Sequence, residues 1–397
     1  MIKLNVTLIA RKKTMKDETK AILAGRKPQD FHGAVNTPVY HASTILYPSL
    51  AAIRGQEAMP FTYGRRATPT SAALEDAISE LENAAGTVLT PSGASAVSLA
   101  ILAGVEAGQH LLMVDTVYEP TRKFCDNFMA RMGVETTYYD PLIGADIADC
   151  IGDNTGLIFM ESPGSQTFEA QDVPAIVAAA KARGVKTALD NTWATPLHFK
   201  PLDHGVDYSV QATTKYIVGH ADALLGTVAC AQENHAHLRR THGQLGLCAA
   251  PDDVFLALRG LRTLPLRLQQ HQASALEMAK WLQALSFVRR VFYPALPSDA
   301  GHALWQRDFS GAAGLFSFEL EPCSETQLAA MLDNLTLFGM GYSWGGFESL
   351  IVPCETPRTA VPFETDGQML RVSIGLEHVE DLKADLMAGF GRAGYSA

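Results

Sequence analysis

The sequence predicts an α/β fold, in which a mainly parallel sheet covered by helices on both faces is followed by a smaller C-terminal α/β domain. Short apolar runs alternate with helix-like segments from about residue 87 to residue 229. A long helical stretch follows, from about Asp252 to Leu285, with an interruption expected near Pro265. With 397 residues, 47% of them hydrophobic, the chain can form two domains with large cores.

The elements are expected in a simple order along the chain. Residues 1–66 show no sustained period and are predicted to form an arm that finds its partners elsewhere, another subunit included. Residues 67–260 form the first domain and residues 261–397 the second. Candidate strands are 87–89, 111–114, 157–160, 187–189, 208–211 and 225–229 in the first domain, and 315–318 and 370–374 in the second. Candidate helices include 97–103, 174–182, 325–334 and 379–390.

Composition excludes several classes of function. A net charge of −10 argues against a nucleic-acid-binding surface. No apolar run approaches the roughly 18 residues of a membrane span, and no signal-peptide pattern is seen, so a cytoplasmic location is predicted. The six cysteines are expected to be reduced. A metal site at His235, His237 and His242 is conceivable, but a polar surface turn around Glu233 and Asn234 explains these residues better, so no metal is predicted.

Four features follow the ends of predicted strands, where open α/β sheets bind their ligands. The segment Thr90–Ala96 opens a helix, and Ser92, the glycine and the free N–H groups of the first turn could bind phosphate oxygens. Taken alone, an ordinary serine N-cap explains this segment better. Asp190 ends another strand, where its carboxylate could hold a protonated pyridine nitrogen or cap the next helix.

The other two features are Lys215 and Tyr118. Lys215 lies just beyond an apolar strand, where desolvation would lower its pKa and favour attack on an aldehyde, although most lysines are solvated. Tyr118 could stack on a planar ring or simply pack in the core. A phosphate site, a stacking aromatic, a partner for a ring nitrogen and an imine-forming lysine together predict a complete cofactor site. The absence of a G-x-G-x-x-G motif argues against a dinucleotide.

These residues carry a resemblance to a known family. Thr214–Asp222 has the form Thr-Lys-Tyr-x-x-Gly-His-x-Asp. In this and in other segments, from about Thr19 to Leu382, the chain resembles the pyridoxal-phosphate enzymes of cysteine and methionine metabolism, the group of the cystathionine lyases and synthases. It looks most like the bacterial cystathionine β-lyases, whose sequences are similar at the runs Tyr118–Pro120, Glu161–Ser165 and Gly341–Ser349.

The resemblance implies a fold-type I, transferase-like architecture with a seven-stranded, mainly parallel sheet in the cofactor-binding domain. It implies pyridoxal 5'-phosphate as cofactor, with Lys215 bonded to it and acting as the base, and Asp190 at the ring nitrogen. Tyr118 would stack on the ring and act as a second catalytic residue, which helps to accept the proton of the substrate amine. The phosphate would be bound by Gly93, Ala94 and Thr214. Many relatives have Ser where Ala212 stands, so one phosphate hydrogen bond would be missing or replaced.

The resemblance also implies a shared site and a homotetramer built as a dimer of active dimers. Tyr63 and Arg65 would reach into the neighbouring subunit's site, Arg65 to the phosphate and Tyr63 to phosphate or substrate. Arg371 would bind the α-carboxylate of an amino-acid substrate. The rest of the substrate pocket would be formed by Tyr342, Ser343 and Trp344.

The implied reaction is β-elimination of L-cystathionine, or of related cysteine S-conjugates, to homocysteine or another thiol, pyruvate and ammonia, as a step of methionine biosynthesis. A γ-acting relative (cystathionine γ-synthase, cystathionine γ-lyase or methionine γ-lyase) would share every cofactor residue, but such relatives usually have Leu at the position of Trp344. A nicotinamide-dependent oxidoreductase lacks support because the glycine motif is absent. A non-catalytic binding protein is disfavoured because Lys215, Asp190, Tyr118 and Arg371 occur together.

Overall fold

The computed structural model describes residues 15–396, so the first 14 residues of the predicted arm and residue 397 lie outside the described part of the chain. The described residues form one seven-stranded and one four-stranded sheet, which confirms the predicted α/β class. The strands of the larger sheet are β1 (Gly86–Thr90), β2 (His110–Val114), β3 (Glu135–Tyr139), β4 (Thr155–Glu161), β5 (Lys186–Asp190), β6 (Tyr208–Gln211) and β7 (Gly226–Cys230).

The larger sheet is mainly parallel, as predicted. Its strand order is β1-β7-β6-β5-β4-β2-β3, and only β7 runs antiparallel to its neighbours. The central strands are almost entirely buried because helices cover both faces. The sequence prediction missed β3, which lies at the edge of the sheet and alternates between exposed and partly buried residues until Tyr139. It therefore lacks the continuous apolar run that marks strands such as β2 and β4.

The helices follow the predicted alternation. Most of the predicted segments lie inside longer helices. The predicted helical stretch 252–285 is interrupted at Arg262 and Thr263, and Pro265 lies in the first turn of the helix that follows this interruption. The α-helices are α1 (Asp17–Leu23), α2 (Leu50–Ile53), α3 (Pro69–Glu82), α4 (Gly93–Gly104), α5 (Glu119–Lys123), α6 (Val173–Ala182), α7 (Thr195–His198), α8 (Gln232–Gln244), α9 (Pro251–Leu261), α10 (Leu264–Gln283), α11 (His302–Asp308), α12 (Glu325–Leu332) and α13 (Val379–Ala393). Short 3-10 helices span Pro28–Phe31, Gly144–Cys150 and Pro201–His204, and a π-helix spans Phe124–Met129.

The second sheet lies beyond the boundary predicted near residue 260. It is antiparallel, with strands β8 (Val288–Phe292), β9 (Leu315–Leu320), β10 (Leu350–Pro353) and β11 (Gln368–Ser373) in the order β10-β11-β9-β8. The helices α12 and α13 accompany it. The two strands absent from the prediction, β8 and β10, carry exposed residues that interrupt or end their apolar runs.

The polar turn predicted around Glu233 and Asn234 is wrong, because these residues belong to α8. Asn234 is buried there, and its side-chain amide donates to Asp207 Oδ1 at 2.9 Å. The helix is mostly polar and packs through few residues, such as Leu238 and His242, so its sequence lacks a clear apolar stripe. Across residues 15–396, no group of three His, Cys, Asp or Glu side chains could hold a metal ion.

Two further findings concern the whole described chain. All six cysteines are free thiols, as expected. No helix among the described residues is both long and apolar enough to cross a membrane.

Candidate active site

A cavity of about 230 Å³ opens at the carboxyl edge of the larger sheet, between that sheet and the second domain. The strand ends of β1, β2, β4, β5 and β6 lead into the segments that line it, and β11 contributes from the smaller sheet. Most of the residues predicted from the sequence meet there. They are Gly93, Ala94, Tyr118, Asp190, Thr214, Lys215, Trp344 and Arg371.

Lys215 lines this cavity. Its Nζ donates to Ser343 Oγ at 3.0 Å and lies 5.1 Å from the ring centroid of Trp344. Desolvation, with the nearby positive charge of Arg371, lowers the pKa of Lys215 to about 8, while Asp190 acts in the opposite direction. Near neutral pH a larger fraction of this amine is therefore uncharged than in an ordinary lysine, as a base or nucleophile requires.

Asp190 ends β5 and is held by Thr192. Its Oδ1 accepts from the backbone N–H of Thr192 at 3.0 Å and from the Thr192 hydroxyl. That hydroxyl oxygen accepts in turn from the backbone N–H of Ala212 at 2.8 Å, which connects the carboxylate to the segment before Lys215. Desolvation raises the pKa of Asp190, although the Thr192 hydrogen bonds oppose the shift. The carboxylate is thus oriented by fixed donors and faces the cavity.

Glu161 is a cavity residue to which the sequence reasoning gave no role. It ends β4 and stands directly beside Asp190 in the parallel register of β4 and β5. Its Oε2 accepts from the backbone N–H of Tyr118 at 2.8 Å. Desolvation and the neighbouring Asp190 raise the pKa of Glu161 well above its ordinary value. Its position at a strand end was the available signal, as it was for Asp190.

The segment before α4 forms a helix N-terminus at the cavity wall. Ser92 is the N-cap, its Oγ accepts from the Ser95 backbone N–H, and the N–H groups of Gly93 and Ala94 have no acceptor among residues 15–396. A Cβ at Gly93 would lie 2.5 Å from the Cβ of Ala212, so close packing requires this glycine. An anion can therefore bind at the backbone of this first turn.

Thr214 is also at the wall, but its hydroxyl is already engaged. It donates to the Leu225 carbonyl oxygen at 3.1 Å and accepts from the Leu225 N–H at 2.9 Å. A hydrogen bond from this hydroxyl to a phosphate would require release of the Leu225 carbonyl, because a hydroxyl has one proton.

Arg371, on β11, brings a buried cation to the same cavity. Its side chain donates to the Tyr342 carbonyl oxygen at 2.9 Å, and the residue is 6% exposed. No carboxylate of the described chain forms an ion pair with it. Desolvation lowers the pKa of Arg371. A buried, unpaired guanidinium beside a lysine can bind the carboxylate of a small molecule.

Four of the predicted residues are not among those that line this cavity, although one of them, Ser343, accepts the hydrogen bond from Lys215 Nζ. The side chain of Tyr342 is 85% exposed and lies on the outer side of the loop that carries Ser343 and Trp344. Tyr63 and Arg65 lie on the arm, where Arg65 donates to the Gly243 carbonyl oxygen at 3.0 Å and its guanidinium lies 6.0 Å from the Tyr63 ring.

The pH at which Lys215 becomes reactive is directly measurable. In the cofactor-free protein, we expect its labelling by an amine-specific reagent to increase through a midpoint near pH 8, because only the uncharged amine reacts. Lys123 is the internal control, because the Glu119 carboxylate holds the pKa of this exposed amine above its ordinary value. Mass spectrometry of the labelled peptides gives both midpoints. Equal midpoints would contradict the environment described for Lys215.

Comparison with known proteins identifies the family of the site. The family model described as "Cys/Met metabolism PLP-dependent enzyme" matches residues 18–391. The chain is 45% identical to the cystathionine beta-lyase MetC of Escherichia coli K12, over 94% of this chain and 98% of that protein. It is 41% identical to an L-alanine/L-glutamate racemase of Wolbachia pipientis wMel, over 95% of this chain and 98% of the racemase.

Solved structures agree with these sequence relations. The cystathionine gamma synthase of Xanthomonas oryzae pv. oryzae, in complex with aminoacrylate and cysteine, superimposes with a TM-score of 0.88 at 33% identity. The superposition covers 96% of this chain and 99% of the synthase.

Proposed function

The chain belongs to the Cys/Met metabolism PLP-dependent enzymes, and from this premise we propose that it is a cystathionine β-lyase. It would cleave L-cystathionine, or related cysteine S-conjugates, to a thiol, pyruvate and ammonia. The observation that carries the proposal is the meeting of Lys215, with a pKa of about 8, and the unpaired Arg371 in one cavity. This arrangement suits an α-amino acid whose carboxylate binds Arg371 and whose Cα faces the lysine amine.

The residues of the cavity fit pyridoxal phosphate. The free N–H groups of Gly93 and Ala94 would hold its phosphate at the start of α4. Asp190, oriented by Thr192, would hold the ring nitrogen in its protonated form, and Tyr118 would stack on the ring. Lys215 would bond to the aldehyde carbon. When bound, this cofactor supplies a carbon that bonds an amine and a ring that takes up negative charge from the substrate's Cα.

The protein's own groups would move the protons. Lys215, once free of the cofactor, would take the proton from the substrate Cα, and Ser343 Oγ would hold its Nζ in place. Arg371 would fix the carboxylate so that the Cα–H bond faces this base. The C–S bond at Cβ then breaks, the thiolate takes up a proton, and water converts the remaining three-carbon fragment to pyruvate and ammonia. Trp344, beside Lys215, would limit the space around the departing chain.

Product analysis with purified enzyme and L-cystathionine tests the proposal. Pyruvate, ammonia and homocysteine in equal amounts are expected. Formation of 2-oxobutyrate and cysteine would show cleavage at Cγ instead, as in a γ-lyase. The Wolbachia relative makes racemisation the second activity to assay, with L-alanine and L-glutamate as substrates and the D-isomers as products. D-isomers without any pyruvate would overturn the β-lyase proposal.

We also propose that the arm completes the site of a second copy, in a dimer of which two form a homotetramer. Arg65 would bind the cofactor phosphate of the neighbouring subunit, and Tyr63 would contact phosphate or substrate there. Tyr342 would bound the outer part of the substrate pocket. Two observations support the shared site: the arm exposes large apolar side chains, among them Leu46 (85%) and Ile53 (63%), and neither Tyr63 nor Arg65 lines the cavity of its own chain.

Complementation between two inactive variants tests the shared site. Arg65→Ala and Lys215→Ala homo-oligomers are each expected to be inactive. The mixture from co-expression in equal amounts should regain roughly a quarter of the wild-type activity, because half of random dimers are mixed and one of their two sites has both native residues. Differently tagged subunits establish that hybrids form. Verified hybrids without activity would show that Arg65 acts in its own subunit's site. The cytoplasmic location stays a prediction.

A further inference from the structure

The loop 354–367 connects β10 to β11, the strand that carries Arg371. Although it belongs to the second domain, this loop lies against the first domain and is held there at two points. Both points are next to segments that line the cavity, and neither contact was foreseen from the sequence.

The first point is Asp115, the residue directly after β2. Its side chain is 0% exposed, and its carboxylate accepts from three consecutive backbone N–H groups of the loop. The distances are 2.9 Å to Thr359, 2.7 Å to Ala360 and 3.3 Å to Val361. Arg122 on α5 completes the set with an ion pair at 2.6 Å. Consecutive N–H groups around one anion form a concave site of the kind that binds phosphates, here occupied by a side chain.

These contacts hold Asp115 in its charged form. Burial alone would raise the pKa of the Asp115 carboxyl, but the hydrogen bonds from Arg122 and from the loop N–H groups lower it below its ordinary value. Hydrogen bonds to an ionised carboxylate are among the stronger ones in proteins. The attachment is therefore intact at neutral pH.

The second point is Arg358, whose side chain is 7% exposed. Its guanidinium donates to Thr167 Oγ1 at 2.7 Å and forms an ion pair with Glu169. Thr167 and Glu169 lie on the segment 164–169, part of which lines the cavity. That segment has Gln166 (φ 68°) and Phe168 (φ 56°) in the left-handed region, so its backbone needs surrounding contacts to keep its conformation.

We infer that Asp115 is a positioning residue, which holds the loop 354–367 and thereby fixes Arg371 relative to Tyr118 and Lys215. Asp115 is three residues before Tyr118, and the loop is continuous with the strand of Arg371, so one carboxylate connects the two sides of the cavity. Asp115 does not line that cavity and would act only through these neighbours. The inference rests on the proposed role of Arg371 in binding the α-carboxylate.

The experiment compares two ligands that differ only in a carboxylate. Glycine and methylamine are titrated into the cofactor-loaded enzyme, and the change in cofactor absorbance gives each dissociation constant. In Asp115→Asn, which replaces one acceptor oxygen by a donating amide, we expect glycine to bind roughly tenfold more weakly or worse. Methylamine binding and the dissociation constant of the cofactor should remain as in the wild type. A purely structural role would weaken all three.

Asp172→Asn is the matched control. Asp172 also forms an ion pair across the two domains, with Arg307 at 2.8 Å, but at the start of α6 and away from the cavity. Asparagine keeps its N-cap role, so glycine binding should not change. Should Asp115→Asn not fold, Arg358→Ala tests the second attachment with the same two ligands and the same expected result.

The outcomes separate this inference from the proposed function. An unchanged ratio of glycine to methylamine affinity in folded Asp115→Asn would overturn the positioning role, as would an equal effect in Asp172→Asn. If Asp115→Asn does not fold, an unchanged ratio in Arg358→Ala overturns it. The titration needs only a bound cofactor. A wild-type enzyme that forms no pyruvate from L-cystathionine would overturn the proposed function, while the glycine titration would still decide the role of Asp115.

Discussion

Replacement of Lys215 by alanine is expected to lower kcat/KM for L-cystathionine by about 10⁴-fold or more. General-base catalysis alone contributes up to roughly 10⁴-fold, and this variant also loses the amine that bonds to the cofactor. Because the pKa of Lys215 is about 8, the wild-type amine is available as a base near neutral pH, and no other lysine among residues 15–396 lines the cavity. Steady-state kinetics with pyruvate detection measures the loss.

A second readout makes this prediction independent of activity. Borohydride reduction of the wild-type holoenzyme should fix the cofactor to the peptide that contains Lys215, whereas Lys215→Ala should carry no fixed cofactor. Lys383→Ala is the control, since Lys383 lies on α13 and pairs with Glu277 and Glu380, outside the cavity. Full activity in Lys215→Ala, or reduction at a different lysine, would refute the assignment.

The positions of the candidate catalytic groups could be predicted where they follow buried strands. Asp190 ends β5 and Lys215 lies four residues beyond the end of β6, and the carboxyl ends of parallel strands share one edge of the sheet. Glu161 ends its strand as Asp190 does, so its position at this edge of the sheet could have been predicted. Its place directly beside Asp190 could not, because it depends on the register between β4 and β5, which the pattern of a single strand does not contain. The helix α8 was missed for a different reason. Polar residues such as Asn234 are among its buried positions, so its sequence shows no clear apolar stripe.

Contacts between the two domains could not be predicted from the sequence either. The hydrogen bond from Lys215 Nζ to Ser343 Oγ joins residues that are 128 positions apart. The hydrogen bonds of Asp115 to the loop 354–367 span 244 positions or more. Such pairs depend on how two independently formed sheets pack against one another. Family resemblance brought Ser343 and Arg371 to the site. It gave no reason to single out Asp115, whose sequence neighbourhood resembles any polar strand end.

Replacement of Arg371 by methionine is expected to raise KM for L-cystathionine while it stabilises the cofactor-free protein. The carboxylate would lose a pair of charge-assisted hydrogen bonds, at least about 3 kcal/mol, which is roughly 10²-fold in affinity. The free energy of unfolding should increase by about 1 kcal/mol, because a buried cation without a carboxylate partner is replaced by an apolar side chain of similar size. Initial rates and denaturant titration of the cofactor-free protein measure the two effects.

Arg290→Met on the same small sheet separates these effects from the mere loss of an arginine. Arg290 is about half exposed and pairs with Glu319 at 2.7 Å, and the Glu319 side chain is 1% exposed. Removal of the Arg290 guanidinium takes a close ion-pair partner from the buried Glu319 carboxylate. The free energy of unfolding should therefore fall, while KM stays unchanged. Opposite signs of the stability change in the two variants would follow directly from the absence of a carboxylate partner at Arg371. A stability loss in Arg371→Met, together with an unchanged KM, would show that this guanidinium has a structural role and that the substrate carboxylate binds elsewhere.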